Sequence, residues 1–395
     1  NFSITVDFLQ IEGVPSCRAT ELYNWCGSHT CQRVPGPQHR DCVEFAHIPI
    51  PAGMDARQVM AARLDALWTS DVGDFPTALA WLPGGTQLAV GAASGEVSLL
   101  AANDGARRVI GRHENGALAL ACRSDGARIA SGGQDGEIAE WRLPDGEVLH
   151  RTAAGKAWVE LLAYQPGGKR LASAAGKRVD LWSEAGERLH SFEEQGGVVA
   201  GLAWNGAKHL GAAAFGGVWL HSIGDGEYST EALPWKGAPL TLAWSPNGKV
   251  IACGMLDASV HFWRRPGGHH SQMAGYATKV RETSWSANSR WLATGGGQSV
   301  VLWDFAGKGP EGTRPVQLDG HTDRITALAF QREGGYLVSG GKDWRLSLWR
   351  PGSTAQALDA HLLGAPISAL AWSPDSRRVA VASENGEIAL YALAV

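Results

Sequence analysis

The residues of this chain best suited to chemistry fall into two groups, and the first lies near the N-terminus. Four of the six cysteines, Cys17, Cys26, Cys31 and Cys42, fall within a span of 26 residues. Two disulfides among them would staple a segment too poor in apolar residues to build its own core. Four cysteines allow three pairings, and spacing does not choose between them. A metal is the competing reading, and unpaired thiols a third. Cys26-x2-His29-x-Cys31 and His39-x2-Cys42 supply three thiolates and two imidazoles, enough for a tetrahedral zinc site, although neither follows the usual C-x2-C framework. The remaining Cys122 and Cys253 sit in strand-like apolar runs and read as buried small hydrophobes.

The second group is His321, Ser339 and Asp343, the residue types of a hydrolase triad, with His113, Ser131 and Asp135 as a second set. No GxSxG elbow accompanies either serine, and that argues against a nucleophile. His269-His270 is an adjacent pair without nearby carboxylates, which is weak support for a metal. Walker A, HExxH, dinucleotide and CxxCH signatures are all missing from the sequence. The glycine-rich AVGAASGEV and ATGGGQSV stretches lie between strands, so they read as hairpins rather than phosphate cradles.

What must position these residues is a repeat. The residue ending the first strand of each unit recurs as Trp81, Cys122, Tyr164, Trp204, Trp244, Trp285, Phe330 and Trp372, at steps of 40 to 45 residues. A second series closes the third strand: Leu99, Trp141, Trp182, Trp219, Trp263, Trp303, Trp349 and Tyr391. Both series give eight units. The stretch RITALAFQREGGYLVSGGKDWRLSLWR at 324–350, with Asp319-Gly320-His321 before it, resembles the WD40 repeat: a GH pair, then SGGxDxxxxxW. Unit six carries the literal Trp-Asp end, Trp303-Asp304.

The resemblance implies an all-β, eight-bladed WD40-like β-propeller over about 71–395. It also implies that His321, Ser339, Asp343 and Trp349 form the family's structural hydrogen-bond tetrad, with His113, Ser131 and Asp135 matching in unit two. Unit four is degenerate and glycine-rich. The last unit ends after its third strand, and such rings close by borrowing an N-terminal strand. The stretch LDALWTS at 64–70 is the expected donor.

Residues 1–68 do not fit the repeat and read as a small α+β cysteine-containing domain or arm, with 69–395 as the propeller. Phe2, Ile4, Val6 and Phe8 alternate with polar residues as in a strand, and 43–48 reads as a second strand. Asp55 is positioned to cap a helix over 56–67, shortened at its C-terminal end if 64–70 is the closing strand.

Formal charge is −4, from 35 basic and 39 acidic residues, so no nucleic-acid partner is expected. Basic residues Arg264, Arg265, Lys279, Arg281, Arg324 and Lys342 are expected near one rim. No run approaches the length of a membrane span. The cysteine cluster favours a periplasmic or secreted setting over the cytoplasm, and the alanine-rich, lysine-poor composition is associated with bacterial sequences. The leading expectation is a non-catalytic scaffold binding protein or peptide through one propeller face, without a cofactor, and with oligomeric state left open. An exposed aromatic or charged cluster near Trp158, Trp235, Lys279 or Trp344 would mark that face. Two alternatives stand beside it. One is a zinc-binding or cell-envelope docking module in the N-terminal segment. The other is an enzyme or cofactor binder in the central channel, disfavoured by inner strands such as ALALAC that are apolar or small.

Overall fold

The structure is a computed structural model that describes residues 62–395. Within them the chain forms eight antiparallel four-stranded sheets. In seven blades the four strands, here a to d, follow one another in sequence order. The a strands of neighbouring blades contact each other, so they surround the axis and the d strands form the rim. Such a meander puts every a–b and c–d turn on one face and every b–c turn and d–a link on the other.

Blade 8 is assembled from both ends of this region. Its strands a (Ile367–Trp372), b (Arg378–Ser383) and c (Glu387–Ala394) are completed by Arg63–Asp71 as strand d. Arg63 pairs with Ala394 and Asp71 with Glu387, with a bulge between Ala66 and Trp68. The seam is fixed at both flanks. Leu64 N–H donates to Asp359 Oδ2 of blade 7 at 2.7 Å, and Trp68 Nε1–H donates to Ala102 O of blade 1 at 3.1 Å. The strand shows why the helix expected over 56–67 is wrong at its C-terminal end: residues from Arg63 onward are extended. It also runs through the boundary expected between 68 and 69.

The tryptophan period has a mechanical cause. Each indole ending an a strand donates across to a carbonyl in the a strand of the preceding blade. These bonds are Trp81 to Ala371 (3.0 Å), Trp204 to Ala163 (3.0 Å), Trp244 to Ala203 (3.3 Å), Trp285 to Ala243 (3.4 Å) and Trp372 to Ala329 (2.9 Å). Buried aliphatic residues then fill the space between sheets, so each core cluster joins two blades rather than sitting inside one. The third-strand series needs two corrections. Trp349 sits opposite Leu337, and by the same register the matching residues are Leu100 in blade 1 and His221 in blade 4, not Leu99 and Trp219.

The expectation of disulfide bonding is also corrected: among the described residues no close or near Sγ–Sγ pair is present. Among the described residues Cys122 and Cys253 are free thiols, and burial pushes the Cys122 thiol up to about 12. Cys17, Cys26, His29, Cys31, His39 and Cys42, and the N-terminal strand and helix start, lie outside the described residues. Among the described residues no helix is long and apolar enough to cross a membrane.

Candidate functional site: one face of the ring

The His-Ser-Asp constellation of blade 7 is assembled and sealed. Asp343 can only accept, so His321 carries its proton on Nδ1 and donates to that carboxylate at 3.0 Å. Burial outweighs the attraction of Asp343 and holds the His321 pKa below its ordinary value, so the ring is neutral at pH 7. Its Nε2 therefore accepts from the Ser339 hydroxyl at 2.7 Å, and Ser339 Oγ accepts from Trp349 Nε1–H at 2.8 Å. Burial alone would raise the Asp343 pKa, but bonds from His321 and from the Thr322 and Arg345 backbone N–H groups hold it low.

Blade 2 repeats the first part of this network. His113 Nδ1 lies 3.0 Å from Asp135, and His113 Nε2 lies 2.7 Å from Ser131. Trp141 Nε1, however, is buried there without a partner. Ser131 and Ser339 are both 0% exposed, so neither can meet a substrate. The distances resemble a catalytic triad, but the arrangement ties a d–a link to strands b and c.

Two further blades use other side chains at these positions. In blade 3, Trp182 Nε1–H donates to Ser173 Oγ at 2.8 Å with no histidine beside them. In blade 6, Tyr276 takes the histidine place. Its hydroxyl lies 2.8 Å from Thr294 Oγ1 and accepts from Trp303 Nε1–H at 2.7 Å. The sequence reading missed this set, although Tyr276 precedes Thr294 by the same 18 residues that separate His321 from Ser339.

Among the turns and links, those on the face of the b–c turns and d–a links are the ones that leave apolar surface open. Phe75, Trp158, Val198, Phe215, Leu256 and Trp344 all lie in those segments and are 39–59% exposed. Among the described residues, none of the exposed large hydrophobics falls in an a–b or c–d turn. Others, such as Leu67, Val109, Val148 and Leu362, lie in the d strands of the rim, so the one-sidedness is a property of the turns and links alone.

Trp344 adds strain to exposure. Its φ is +66°, in a b–c turn where blades 2 and 8 place Gly136 and Gly386 at positive φ. A bulky side chain there costs roughly 1–3 kcal/mol, and such strain concentrates at functional positions. Lys279 is exposed on this face, whereas Trp235 is only half-buried, its ring stacked 3.8 Å from that of His261. The basic residues expected together are divided. Lys279, Arg281, Arg324 and Lys342 belong to this face, while Arg264 and Arg265 pair with Glu311 and Glu231 toward the c–d side. His269 lies 3.3 Å from Glu311 and is exposed. Among the described residues no group of three or more His, Cys, Asp or Glu side chains is placed to hold a metal.

Comparison with known proteins agrees with this geometry. The family model "WD domain, G-beta repeat" matches residues 235–264, 268–304, 312–350 and 352–391, which fall in blades 5 to 8. The chain is similar to "Telomerase protein component 1" of Rattus norvegicus, 26% identical over 334 residues, covering 80% of this chain and 12% of that one. It is also similar to "Ribosome biogenesis protein WDR12 homolog" of Chlamydomonas reinhardtii, 28% identical over 258 residues, covering 60% of this chain and 53% of that one. The chain thus spans 12% and 53% of the length of these two relatives. Among solved structures, the computationally designed Ika8 protein superimposes with a TM-score of 0.70 at 21% identity, covering 83% of this chain and 99% of that chain, a likeness of fold.

A closed ring of eight four-stranded blades defines a β-propeller, and its residues 235–391, which include the complete His-Ser-Asp-Trp network of blade 7, match the WD40 family. The association of its composition with bacterial sequences is not supported, since both relatives are eukaryotic.

Proposed function

We propose that this protein is a non-catalytic protein–protein interaction scaffold that holds its partner on the face formed by the b–c turns and d–a links. The observation that carries this reading is that, among the described residues, every exposed large apolar side chain in a turn or inter-blade link lies on this face, with Trp158, Val198, Phe215 and Leu256 contributed by blades 3 to 5. Large exposed apolar residues on rigid short turns are what the centre of a protein interface needs, because little conformational entropy is lost when they are covered. The WD40 architecture supports the same role, and the sealed hydroxyls of Ser131 and Ser339 give no support to catalysis.

Site-specific photo-crosslinking in cells expressing the full chain tests the reading. A crosslinker at Phe215, Leu256 or Trp344 is expected to capture the same protein species. One at Glu333 or Lys249, in a–b turns, is expected to capture none of it. Equal capture from both faces, or capture from the a–b turns alone, would overturn the assignment.

A further inference from the structure

Blade 4 has lost every side chain of the network that seals blade 7. Val199 N–H donates to Gly176 O as Ile325 N–H donates to Gly297 O, and Leu210 faces His221 as Leu337 faces Trp349. By that register the histidine, serine, aspartate and tryptophan places hold Gln195, Ala212, Gly216 and His221. Four smaller or differently shaped groups cannot fill the space that a tryptophan and its partners fill elsewhere. A cavity of about 390 Å³ opens beside two of these positions, Gln195 and His221, between strand d of blade 3 (Arg188–Ser191) and strands c and d of blade 4 (Gly217–Ile223 and Tyr228–Pro234).

The walls are aromatic and the polar groups are unspent. Phe192 stacks on His221 at 3.8 Å between ring centres, Tyr228 stacks on His190 at 4.1 Å, and Trp219 lines the same space. His221 and Gln195 line it too and are 1% and 5% exposed, yet His221 Nε2 and Gln195 Oε1 have no hydrogen-bond partner. Their other atoms are committed: Gln195 Nε2–H donates to Glu193 O at 2.7 Å, and His221 Nδ1 lies 2.9 Å from Thr230 Oγ1. A buried acceptor left unpaired in a polar space of this size marks a place for a donor.

The remaining lining gives that donor its charge. Glu193 and Glu194 border the cavity and no lysine or arginine does. Carboxylates, an orphan amide oxygen and aromatic faces together complement an organic cation, whose stem packs on rings while its N–H groups meet acceptors.

We propose that the cleft between blades 3 and 4 binds an organic cation, the ammonium or guanidinium head of a small amine or of a partner's lysine or arginine side chain. Gln195 Oε1 accepts an N–H of the head, Glu193 and Glu194 balance its charge, and Phe192, Trp219 and Tyr228 cover its stem. This site goes beyond the docking face and stands or falls separately from it.

Titration calorimetry on the full chain decides the matter, with butylammonium and methylguanidinium as free cations, N-acetyl-lysine and N-acetyl-arginine methylamides as side-chain mimics, and acetate as the control. Low-millimolar or tighter binding of a cation, with none for acetate, is expected. Gln195→Leu should weaken it about tenfold, the value of one hydrogen bond to a charged group. His221→Trp should fill the cleft and abolish binding without lowering the melting temperature; if that variant is destabilised, Gln195→Leu decides. Tighter binding of the capped residues would identify a partner side chain as the occupant, and tighter binding of the bare cations a free amine. Silence of every cation, equal binding of acetate, or unchanged affinity in folded variants would overturn the proposal.

Discussion

Ser339 and Ser131 hold the same place in two blades but have different partners. Ser339 bonds both His321 and Trp349, whereas Ser131 bonds His113 and leaves Trp141 Nε1 alone. Ser339→Ala therefore strands two buried groups and should cost about 2–4 kcal/mol, while Ser131→Ala strands one and should cost roughly half as much. Urea unfolding of the two variants checks the ordering; equal losses would contradict the hydrogen-bond assignment. Trp344 presents the opposite case, a residue whose removal should help the fold. Trp344→Gly relieves a left-handed backbone at φ +66° and is expected to raise stability by about 1 kcal/mol. The same change should weaken capture of the partner at the docking face. A variant that is both less stable and fully competent in capture would remove Trp344 from the interface.

The element that decides whether the ring is closed is Arg63–Asp71. Without it, strand c of blade 8 would present an unpaired edge, a template for association with a second chain. A chain beginning at Val72 is expected to lose thermal stability and to associate as concentration rises, which light scattering across a dilution series would report. A monomer of unchanged melting temperature would mean that the strand only decorates the seam. The repeat was legible because the indole ladder places a tryptophan at the same point of five blades, and because blades 2 and 7 keep their histidine, serine and aspartate. Register was not legible where those markers fail. In blade 4, Trp219 offered a false anchor two residues before His221, on the same side of the strand. In blade 1, consecutive leucines at 99 and 100 gave the pattern no way to choose. The cleft at Gln195 and His221 could not be read at all, since it depends on how two blades pack and not on a motif. Of the docking face only Trp158, Lys279 and Trp344 were legible, since exposure of Val198 or Leu256 depends on the turn around it and not on its identity.

At the scale of the molecule, buried histidines make stability depend on acidity. Burial pushes His221 and His261 down to about 4, and holds His113 and His321 below their ordinary values. The unfolded chain, with imidazoles near 6.5, takes up protons first as pH falls. Stability contributed by these groups is therefore complete above about pH 6.5 and is lost between there and about pH 4, on the order of 3 kcal/mol for each of His221 and His261. The denaturation midpoint in urea should be lower at pH 5 than at pH 7.5, and His221→Trp should reduce the difference; identical midpoints would show that these rings do not stay neutral in the fold. The pairing of Arg63 with Ala394 has a consequence in time as well as in space. The strand that completes the last blade leaves the ribosome before any other part of the ring, and its partner leaves among the last. At ordinary rates of synthesis the early strand must wait on the order of tens of seconds, unsatisfied along its edge, while seven blades form behind it. Its exposed arginine, aspartates and threonine are the residues a waiting strand needs to stay solitary.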